Sequence, residues 1–498
     1  MNLIIDPKHL EVTAEQISAL MPYLIVMGGA TLAILLSVVK SLNPKWSVFV
    51  VSVLTVAAGL WASFTGIGTP SVTLFNNMMV GDDYSNFFNL IFLGSALFTV
   101  LSSFRYLDKE SLQFPEYNIL VLFCALGMMF LACSLDMIVI FIALELMSLT
   151  AYSLVGFRRA DRRANEASMK YFILGGAASA ILLYGTALLY GLSGSTNIRD
   201  ILAYVGQNAG ALPVLFSVGA WLVLVGFLFK VASVPFHMWM PDVYEGAPTP
   251  VTGLMTTGIK AASFAVFLRV FISFGYGKSL VAGVQMHLHD LIWISAVLTM
   301  LFGNVIALQQ TNLKRMLAYS SIAHTGYLMV GLLSGSSSEI GYSALVLYLV
   351  SYAVMNMGAF AILSIISGKG DEGLQLQDMS GLAKRHPWLA FAMAVFLFSM
   401  AGVPPTAGFV TKYLLFYSAV QAGEIWLVVL SVLCSAISAY YYLRVLVFMY
   451  MKPATENAHP RISFFSAATV AVMALVTLQV GILPSALVDL AKKVVGSL

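Results

Sequence analysis

The chain has 498 residues, of which 59% are apolar and only 10% are charged, and its formal net charge is +3. Soluble globular domains contain about 25% charged residues, so this composition excludes a soluble globular protein. Because the few lysines and arginines are scattered through short polar segments, they form no basic patch of the kind that binds nucleic acid.

Apolar runs of about 20 residues recur along the whole sequence, and each is long enough to cross a bilayer as a helix. Barrel strands would be shorter, about 10 residues, and would alternate in polarity, which these runs do not. The runs therefore predict an all-α, polytopic membrane protein, with a single membrane domain over residues 1–498 and about fourteen transmembrane helices. The predicted spans are 20–39, 46–66, 85–103, 117–133, 135–155, 169–191, 213–236, 248–274, 290–309, 316–333, 342–366, 387–418, 425–450 and 462–487.

The orientation of these spans follows from the lysines and arginines in alternate loops. One set of loops contains fifteen: Lys40, Lys45, Arg105, Lys109, Arg158, Arg159, Arg162, Arg163, Lys314, Arg315, Lys369, Lys384, Arg385, Lys452 and Arg461. The other set contains five: Lys8, Arg199, Lys278, Lys492 and Lys493. Positive loops face the cytoplasm, so both termini are predicted on the non-cytoplasmic side. The start, MNLIIDPKHLEV, lacks the basic stretch and cleavage site of a signal peptide, so the first span is expected to serve as the anchor.

Two similar segments carry prolines inside apolar runs: FLFKVASVPFH at 227–237 and FLFSMAGVPPT at 396–406. Proline cannot donate to the carbonyl four residues before it, so Pro235 and Pro404 are expected to break their helices. At the first break, this would leave the carbonyl of Val231 unsatisfied beside an embedded lysine.

The two breaks also predict an internal repeat. They fall in the seventh and twelfth spans, and an offset of five helices is odd, so repeats with this period must be inverted in the membrane. We predict two inverted five-helix repeats, over 117–274 and 286–450, each with one broken helix. Broken helices in related halves of a membrane protein are typical of ion pathways.

Titratable side chains are embedded in five different predicted helices: Glu145, Lys230, Lys260, His324 and Lys412. An ionisable group at this depth costs at least about 2.5 kcal/mol, so each requires a reason. In a low dielectric an isolated lysine is disfavoured in its charged form, and a nearby carboxylate favours it again. Moving such groups together or apart therefore loads or releases a proton. We predict that the five groups form a proton relay, with Ser, Tyr and Asn side chains holding water between them.

Structural roles are the alternative for some embedded residues. Glu145 and Lys230 would then form a purely structural ion pair, and His324 would be a packed histidine bonded to a neighbouring carbonyl. Arg269 is expected to extend towards a membrane interface. Asp136, at the start of the fifth span, is expected to cap that helix.

The sequence predicts no cofactor on this chain. Cys124, Cys133 and Cys434 lie in apolar surroundings without a CxxC pair, so they are expected to be free cysteines in the packing. This excludes a cysteine-ligated iron–sulfur cluster, and no two spans carry the histidine pairs that a bis-histidine haem requires. Five titratable groups on five helices also do not form a single metal site.

Three motifs resemble the antiporter-like subunits of respiratory complex I: VPFHMWMPDVYEGAPTPV (234–251), LKRMLAYSSIAHTGY (313–327) and AGVPPTAGFVTKYLLF (401–416). The resemblance covers most of the chain and is closest to the N subunit of the bacterial NADH:quinone oxidoreductase. The lysine in GFVTKY differs from the glutamate of the related M subunit, and no long amphipathic helix like that of the L subunit follows the last span. Plastid and cyanobacterial relatives share the motifs.

The resemblance implies fourteen helices in two inverted units, and a proton-translocating role. Residue by residue, it implies that Glu145, Lys230, Lys260 and Lys412 are the family's embedded glutamate and lysines. NADH, FMN, iron–sulfur clusters and quinone would then lie in partner subunits of a complex in the bacterial cytoplasmic (inner) membrane. The alternatives are a subunit of a multi-subunit sodium/proton antiporter and a non-pumping scaffold subunit. Sodium sites favour clustered carboxylates, and only Glu145 lies at mid-depth.

Overall fold

The computed structural model describes residues 13–39, 43–112, 114–208, 212–273, 282–335, 338, 340–453 and 462–498. The protein is a polytopic all-α membrane protein. Within the described residues, twelve helices are long and apolar enough to cross a membrane, and two shorter apolar helices, Val214–Lys230 and Pro387–Ala401, lie where the two broken spans were predicted.

The helices follow one another with short connections. Their bounds are α1 Ala14–Val38, α2 Pro44–Gly66, α3 Asp83–Lys109, α4 Glu116–Cys133, α5 Met137–Val155, α6 Arg162–Ser193, α7 Ile198–Gln207, α8 Val214–Lys230, α9 Met240–Gly246, α10 Thr249–Leu254, α11 Lys260–Ser273, α12 Ala282–Gln309, α13 Leu313–Ser334, α14 Gly341–Ile366, α15 Leu382–Arg385, α16 Pro387–Ala401, α17 Ala407–Gln421, α18 Ile425–Met451, α19 Phe464–Ile482 and α20 Ser485–Gly496. A π-helical turn, Met255–Ile259, joins α10 to α11.

Several elements were not predicted from the sequence. A small antiparallel hairpin, β1 Val72–Leu74 and β2 Met79–Gly81, lies between α2 and α3. The short helices α7 and α20 lie next to the bundle, and the π-helical turn interrupts the predicted eighth span. Each is too short, or too irregular in its period, to give a hydropathy signal of its own.

Contacts between loops place both ends of the described chain at one end of the bundle, which we call the terminal end. Near the start, Gln16 Nε2 donates to Thr73 O of the hairpin at 3.4 Å. Near the finish, Ser497 Oγ accepts from the backbone N–H of Tyr84, at the start of α3, at 3.2 Å. At the opposite end, which we call the charged end, the Tyr106 hydroxyl of α3 donates to Asp371 at 3.0 Å.

The two broken segments run in opposite directions through the bundle. The first starts at the terminal end with α8 and finishes at the charged end, where Arg158 Nη2 donates to Gly246 O of α9 at 3.0 Å. The second starts at the charged end with α16 and finishes at the terminal end, where Ser338 donates to Gln421 of α17 at 2.5 Å. Opposite directions are what an inverted repeat requires.

Burial is greatest in the middle of the bundle. Helix α13 and the segment Thr249–Ile272 are each 94% buried over their most apolar stretch, whereas α1, α2, α18 and α19 leave most of theirs exposed. The outer helices present large apolar side chains such as Trp61 and Phe464. Lys260 and His324, which are titratable, lie in the two most buried of these segments, as is expected of ionisable groups in a membrane protein.

Candidate functional site

Helix α13 carries a line of buried polar side chains through the middle of the protein. Its members, which we call the polar stripe of α13, are Ser320, Ser321, His324, Thr325 and Tyr327, and each is at most 1% exposed. Residues four apart lie on the same face of a helix, so 320 and 324 form one row and 321 and 325 the next. The stripe provides hydroxyl and imidazole groups that both donate and accept hydrogen bonds.

Lys230, the last residue of α8, is bound by a hydroxyl rather than by the predicted carboxylate. Its Nζ donates to Ser148 Oγ at 2.8 Å. Ser148 lies one turn beyond Glu145 on α5, and no ion pair within 4 Å joins Glu145 to Lys230 in the described part of the chain. The Oε1 atom of Glu145 is shielded and has no hydrogen-bond partner among the described residues. The structure thus brings Lys230 to the turn of α5 next to that of Glu145, without pairing the two residues.

The first break differs from the expectation in where the helix ends and in how its carbonyl is satisfied. Helix α8 ends at Lys230, well before Pro235. The carbonyl of Val231, expected to be unsatisfied, accepts from Thr325 Oγ1 of the polar stripe at 2.9 Å. A threonine from a helix distant in sequence completes this break, so the expectation of a free carbonyl was wrong.

Lys260 begins α11, directly after the π-helical turn, and it is held against the polar stripe. Its Nζ donates to the carbonyl and the hydroxyl of Ser321 at 2.5 and 2.7 Å. The Tyr352 hydroxyl of α14 donates to the same Ser321 Oγ at 2.7 Å, and the Tyr352 ring lies 5.1 Å from the lysine Nζ. A ring face at this distance stabilises a cation in the absence of a carboxylate.

His324 lies between two tyrosines from different helices. Its Nδ1 is 2.5 Å from the Tyr348 hydroxyl of α14, and its Nε2 is 3.2 Å from the Tyr442 hydroxyl of α18. Tyr442 also shares a hydrogen bond with Ser320 of the polar stripe. Both ring nitrogens of His324 thus face hydroxyls, an arrangement that is chemically able to pass a proton in either direction when the tautomer changes.

Lys412 of α17 folds back onto the end of the helix before it. Its Nζ donates to Met400 O at 2.8 Å, to Ala401 O at 3.4 Å and to Ser435 Oγ of α18 at 3.0 Å. Met400 is the residue four before Pro404, so its carbonyl is the one that the proline leaves without a donor. The face of Tyr327, in the polar stripe, lies 5.1 Å from the same Nζ.

The structure therefore brings three of the five predicted residues, Lys260, His324 and Lys412, to the polar stripe, mainly through residues that sequence reasoning did not name. Lys260 and Lys412 both lie against residues of the polar stripe, with His324 between their contacts on that helix. Lys230 and Glu145 lie further away, on α8 and α5. The missed partners are Ser148, Ser321, Tyr327, Tyr348, Tyr352, Tyr442 and Ser435. Helical spacing in SSIAHTGY would have indicated the members on α13, but partners from other helices leave no local signal.

Two further charged residues show where the sequence was and was not sufficient. Asp136 caps α5 as predicted, because its carboxylate accepts from the backbone N–H of Ile138 at 2.8 Å. The expectation for Arg269 was wrong, because it is 2% exposed and its guanidinium binds both oxygens of Asp82 at 2.9 and 3.0 Å. Asp82 lies before α3, so a long-range ion pair retains this arginine inside the protein.

Comparison with known proteins gives consistent results. The family described as NADH:quinone oxidoreductase/Mrp antiporter, TM, matches residues 134–438. The chain is 44% identical over 485 residues to NADH-quinone oxidoreductase subunit N of Trichlorobacter lovleyi. This alignment covers 96% of this chain and 97% of that protein. It is 35% identical, with a TM-score of 0.80, to a chain in the structure of respiratory complex I from Thermus thermophilus with bound aureothin, over 95% of this chain and 100% of that one.

A more distant likeness shows the fold alone. A chain of the Mrp complex from Dietzia sp. superposes with a TM-score of 0.84 at 22% identity, over 97% of both chains. The polar stripe of α13 and the two broken segments lie within the family match, as do all five embedded titratable residues. The match over more than half of the chain and the near full-length relative together show that the chain belongs to the NADH:quinone oxidoreductase/Mrp antiporter family, within which it is similar to subunit N.

Proposed function

We propose that this chain is a proton-translocating membrane subunit of an NADH:quinone oxidoreductase. NADH, FMN, the iron–sulfur clusters and quinone would be bound by partner subunits, and this chain would convert their redox reaction into proton movement. One observation carries the proposal. The polar stripe of α13 joins the surroundings of two buried lysines, Lys260 and Lys412, through hydroxyl groups and an imidazole that can exchange protons.

The relay proceeds from the chemistry of these groups. A buried lysine releases a proton when it loses its stabilising partners, and it gains one when a carboxylate approaches. Lys260 and Lys412 have carbonyls, hydroxyls and ring faces as partners, all neutral, so small shifts of these groups change the stability of the charged amine. Glu145 is the acidic residue for this role, because it lies one helical turn before Ser148, the residue that binds Lys230. Water between the stations would complete the path.

The arrangement in the membrane is part of the proposal. The charged end would face the cytoplasm, since it carries the loops richest in lysine and arginine, and the terminal end would face outwards across the bacterial cytoplasmic membrane. The units 117–274 and 286–450 would be the two inverted repeats. Each unit then contains one broken segment. The two broken segments run in opposite directions, and this supports an inverted relation between the units.

Glu145→Gln in the intact complex tests the proposal. If Glu145 stabilises the charged form of Lys230, its neutralisation lowers proton pumping and quinone reduction together, with normal subunit content. Glu145→Asp keeps the charge with a shorter reach, and should retain partial activity. Glu166→Gln is the matched control, because Glu166 lies at the exposed start of α6 and pairs with Lys170. Wild-type rates of proton pumping and quinone reduction in sealed vesicles of Glu145→Gln would contradict the relay.

A subunit of a sodium/proton antiporter is the second candidate, because the family includes Mrp antiporters and the fold is shared. The two candidates differ in their partners and in their ion. Purification in mild detergent should recover redox subunits with this chain, and pumping should persist without sodium. Recovery of an antiporter assembly with no redox subunit would favour the second candidate.

A further inference from the structure

A sizeable cavity lies outside the relay, at the charged end. Its volume is about 800 Å³, within the range of about 300–1,000 Å³ that small-molecule sites occupy. The last turns of α3 and α14, the connection from Ser367 to His386, and the first turn of α19 form its walls. Because these are the ends of helices that are long and apolar enough to cross a membrane, the cavity is expected near a membrane interface. We call it the interfacial pocket.

Three cations line the interfacial pocket without a carboxylate partner. Arg105 is exposed on α3. Lys109 Nζ binds the carbonyl and hydroxyl of Ser367 at 2.8 and 2.9 Å, and Arg385 Nη2 binds Ser380 O at 3.0 Å. None of the three has a described carboxylate within ion-pair distance. Unpaired basic residues between helices near a membrane surface attract anionic headgroups.

The acidic residues in the same wall are mostly engaged elsewhere. Asp108 forms an ion pair with Lys45 of α2, outside the cavity lining. Asp378 Oδ2 accepts from the backbone N–H of Gln375 at 2.8 Å. Glu372 is the remaining carboxylate of the lining, and it is exposed to solvent. With Asp108 paired to Lys45, the lining holds three cations, Arg105, Lys109 and Arg385, against two remaining carboxylates, Asp378 and Glu372.

Hydroxyl and apolar groups complete the lining. Ser463 is the N-cap residue of α19, but its side chain makes no capping hydrogen bond, so the positive end of that helix dipole also faces the pocket. Ser466, one turn later, adds a further hydroxyl. Ile365, Ile366 and Leu382 provide apolar surface beside these polar groups. Cations and hydroxyls beside apolar side chains match a phosphate that continues into a hydrocarbon chain.

We infer that the interfacial pocket binds the phosphate headgroup of an anionic phospholipid, with its acyl chains against the outer helices. Free phosphate shares the anionic chemistry but makes no use of the apolar wall. The inference is independent of the proposed function, since no relay residue lines the cavity. It assigns a ligand to residues at the ends of α3, α14 and α19 and in the connection before the second broken segment.

Native mass spectrometry of the full chain in detergent tests this assignment, with phosphatidylglycerol, phosphatidylcholine and inorganic phosphate as probes. Phosphatidylglycerol should bind more tightly than phosphatidylcholine, and millimolar phosphate should not displace it. Arg105→Gln should weaken phosphatidylglycerol about fivefold, the effect of one basic residue near an anionic surface. Arg105→Lys, which keeps the charge, should restore most of the binding.

Lys384→Gln is the matched control, because Lys384 is exposed next to Arg385 but does not line the pocket. It should leave binding unchanged. Equal affinity for phosphatidylcholine, or unchanged affinity in Arg105→Gln, would overturn the assignment. Complete displacement by inorganic phosphate would overturn the lipid and leave a free anion as the ligand. Arg105 has no described protein partner, so its replacement should not impair folding.

Discussion

Replacing Lys412 by Met separates a role in proton transfer from a role in stability. The substitution removes three hydrogen bonds from Nζ and leaves Met400 O without its donor. An unsatisfied buried carbonyl costs about 1–3 kcal/mol. The wild-type lysine, however, bears a cost of at least about 2.5 kcal/mol for placing its charge at membrane depth. The two changes nearly cancel, so the variant should insert and assemble normally.

Proton pumping should nevertheless fall, because methionine cannot hold a proton beside the second break. Lys412→Arg sharpens the test, since arginine keeps the charge but does not release its proton. Both variants should therefore lower the ratio of protons pumped to quinone reduced, measured with a pH-sensitive dye in sealed vesicles. Lys384→Met, in an exposed helix at the charged end, is the control. A normal ratio in Lys412→Met would refute the reasoning, and loss of assembly would indicate a structural partner instead.

Three further predictions rest on other parts of the protein. Lys260→Met should leave assembly intact and lower pumping in the same vesicle assay; a normal ratio would remove this lysine from the relay. Burial alone would raise the pKa of Asp371, but Lys314 and Arg158 outweigh burial and hold it below its usual value. Asp371→Asn should thus destabilise the protein by about 3–5 kcal/mol near pH 7, as measured by thermal unfolding. In the wild-type protein, the stabilisation by Asp371 should persist above pH 4 and disappear as the pH falls through the lowered pKa. A tag at either terminus should be accessible from outside the cytoplasmic membrane, and labelling of only one would contradict an even number of spans.

The sequence was sufficient for the features that depend on composition and short-range pattern. Apolar runs predicted the long helices, and the prolines at 235 and 404 predicted the two broken segments. The ends of the broken helices were less predictable. Helix α8 ends at Lys230, and two residues later Ala232 adopts a positive φ of 58°, which does not continue a right-handed helix. Nothing in the apolar sequence pattern predicts this backbone conformation.

Partners across the bundle could not be predicted, because they depend on how each helix is rotated. Glu145 and Ser148 are one turn apart on the same side of α5, so the height and rotation of the helix together decide which of them meets Lys230, and the structure favours the serine. Arg269 binds the carboxylate of Asp82, which is 187 residues away in the sequence. Helix rotation is set by packing over whole surfaces, and the sequence of one helix does not contain it.

At each break, the carbonyl four residues before the proline accepts its hydrogen bond from a different kind of side chain. This difference affects how each half could move a proton. At the first break the carbonyl of Val231 accepts a hydrogen bond from the hydroxyl of Thr325, which is neutral and does not ionise at physiological pH. At the second, the equivalent carbonyl of Met400 is satisfied by the amine of Lys412. Any change in the charge of Lys412 thus acts directly on the end of α16. The lysine of the first half, Lys230, instead donates to Ser148 of α5. Two halves of similar design would therefore couple protonation to different helices, the second to its own break and the first to the helix that carries Glu145.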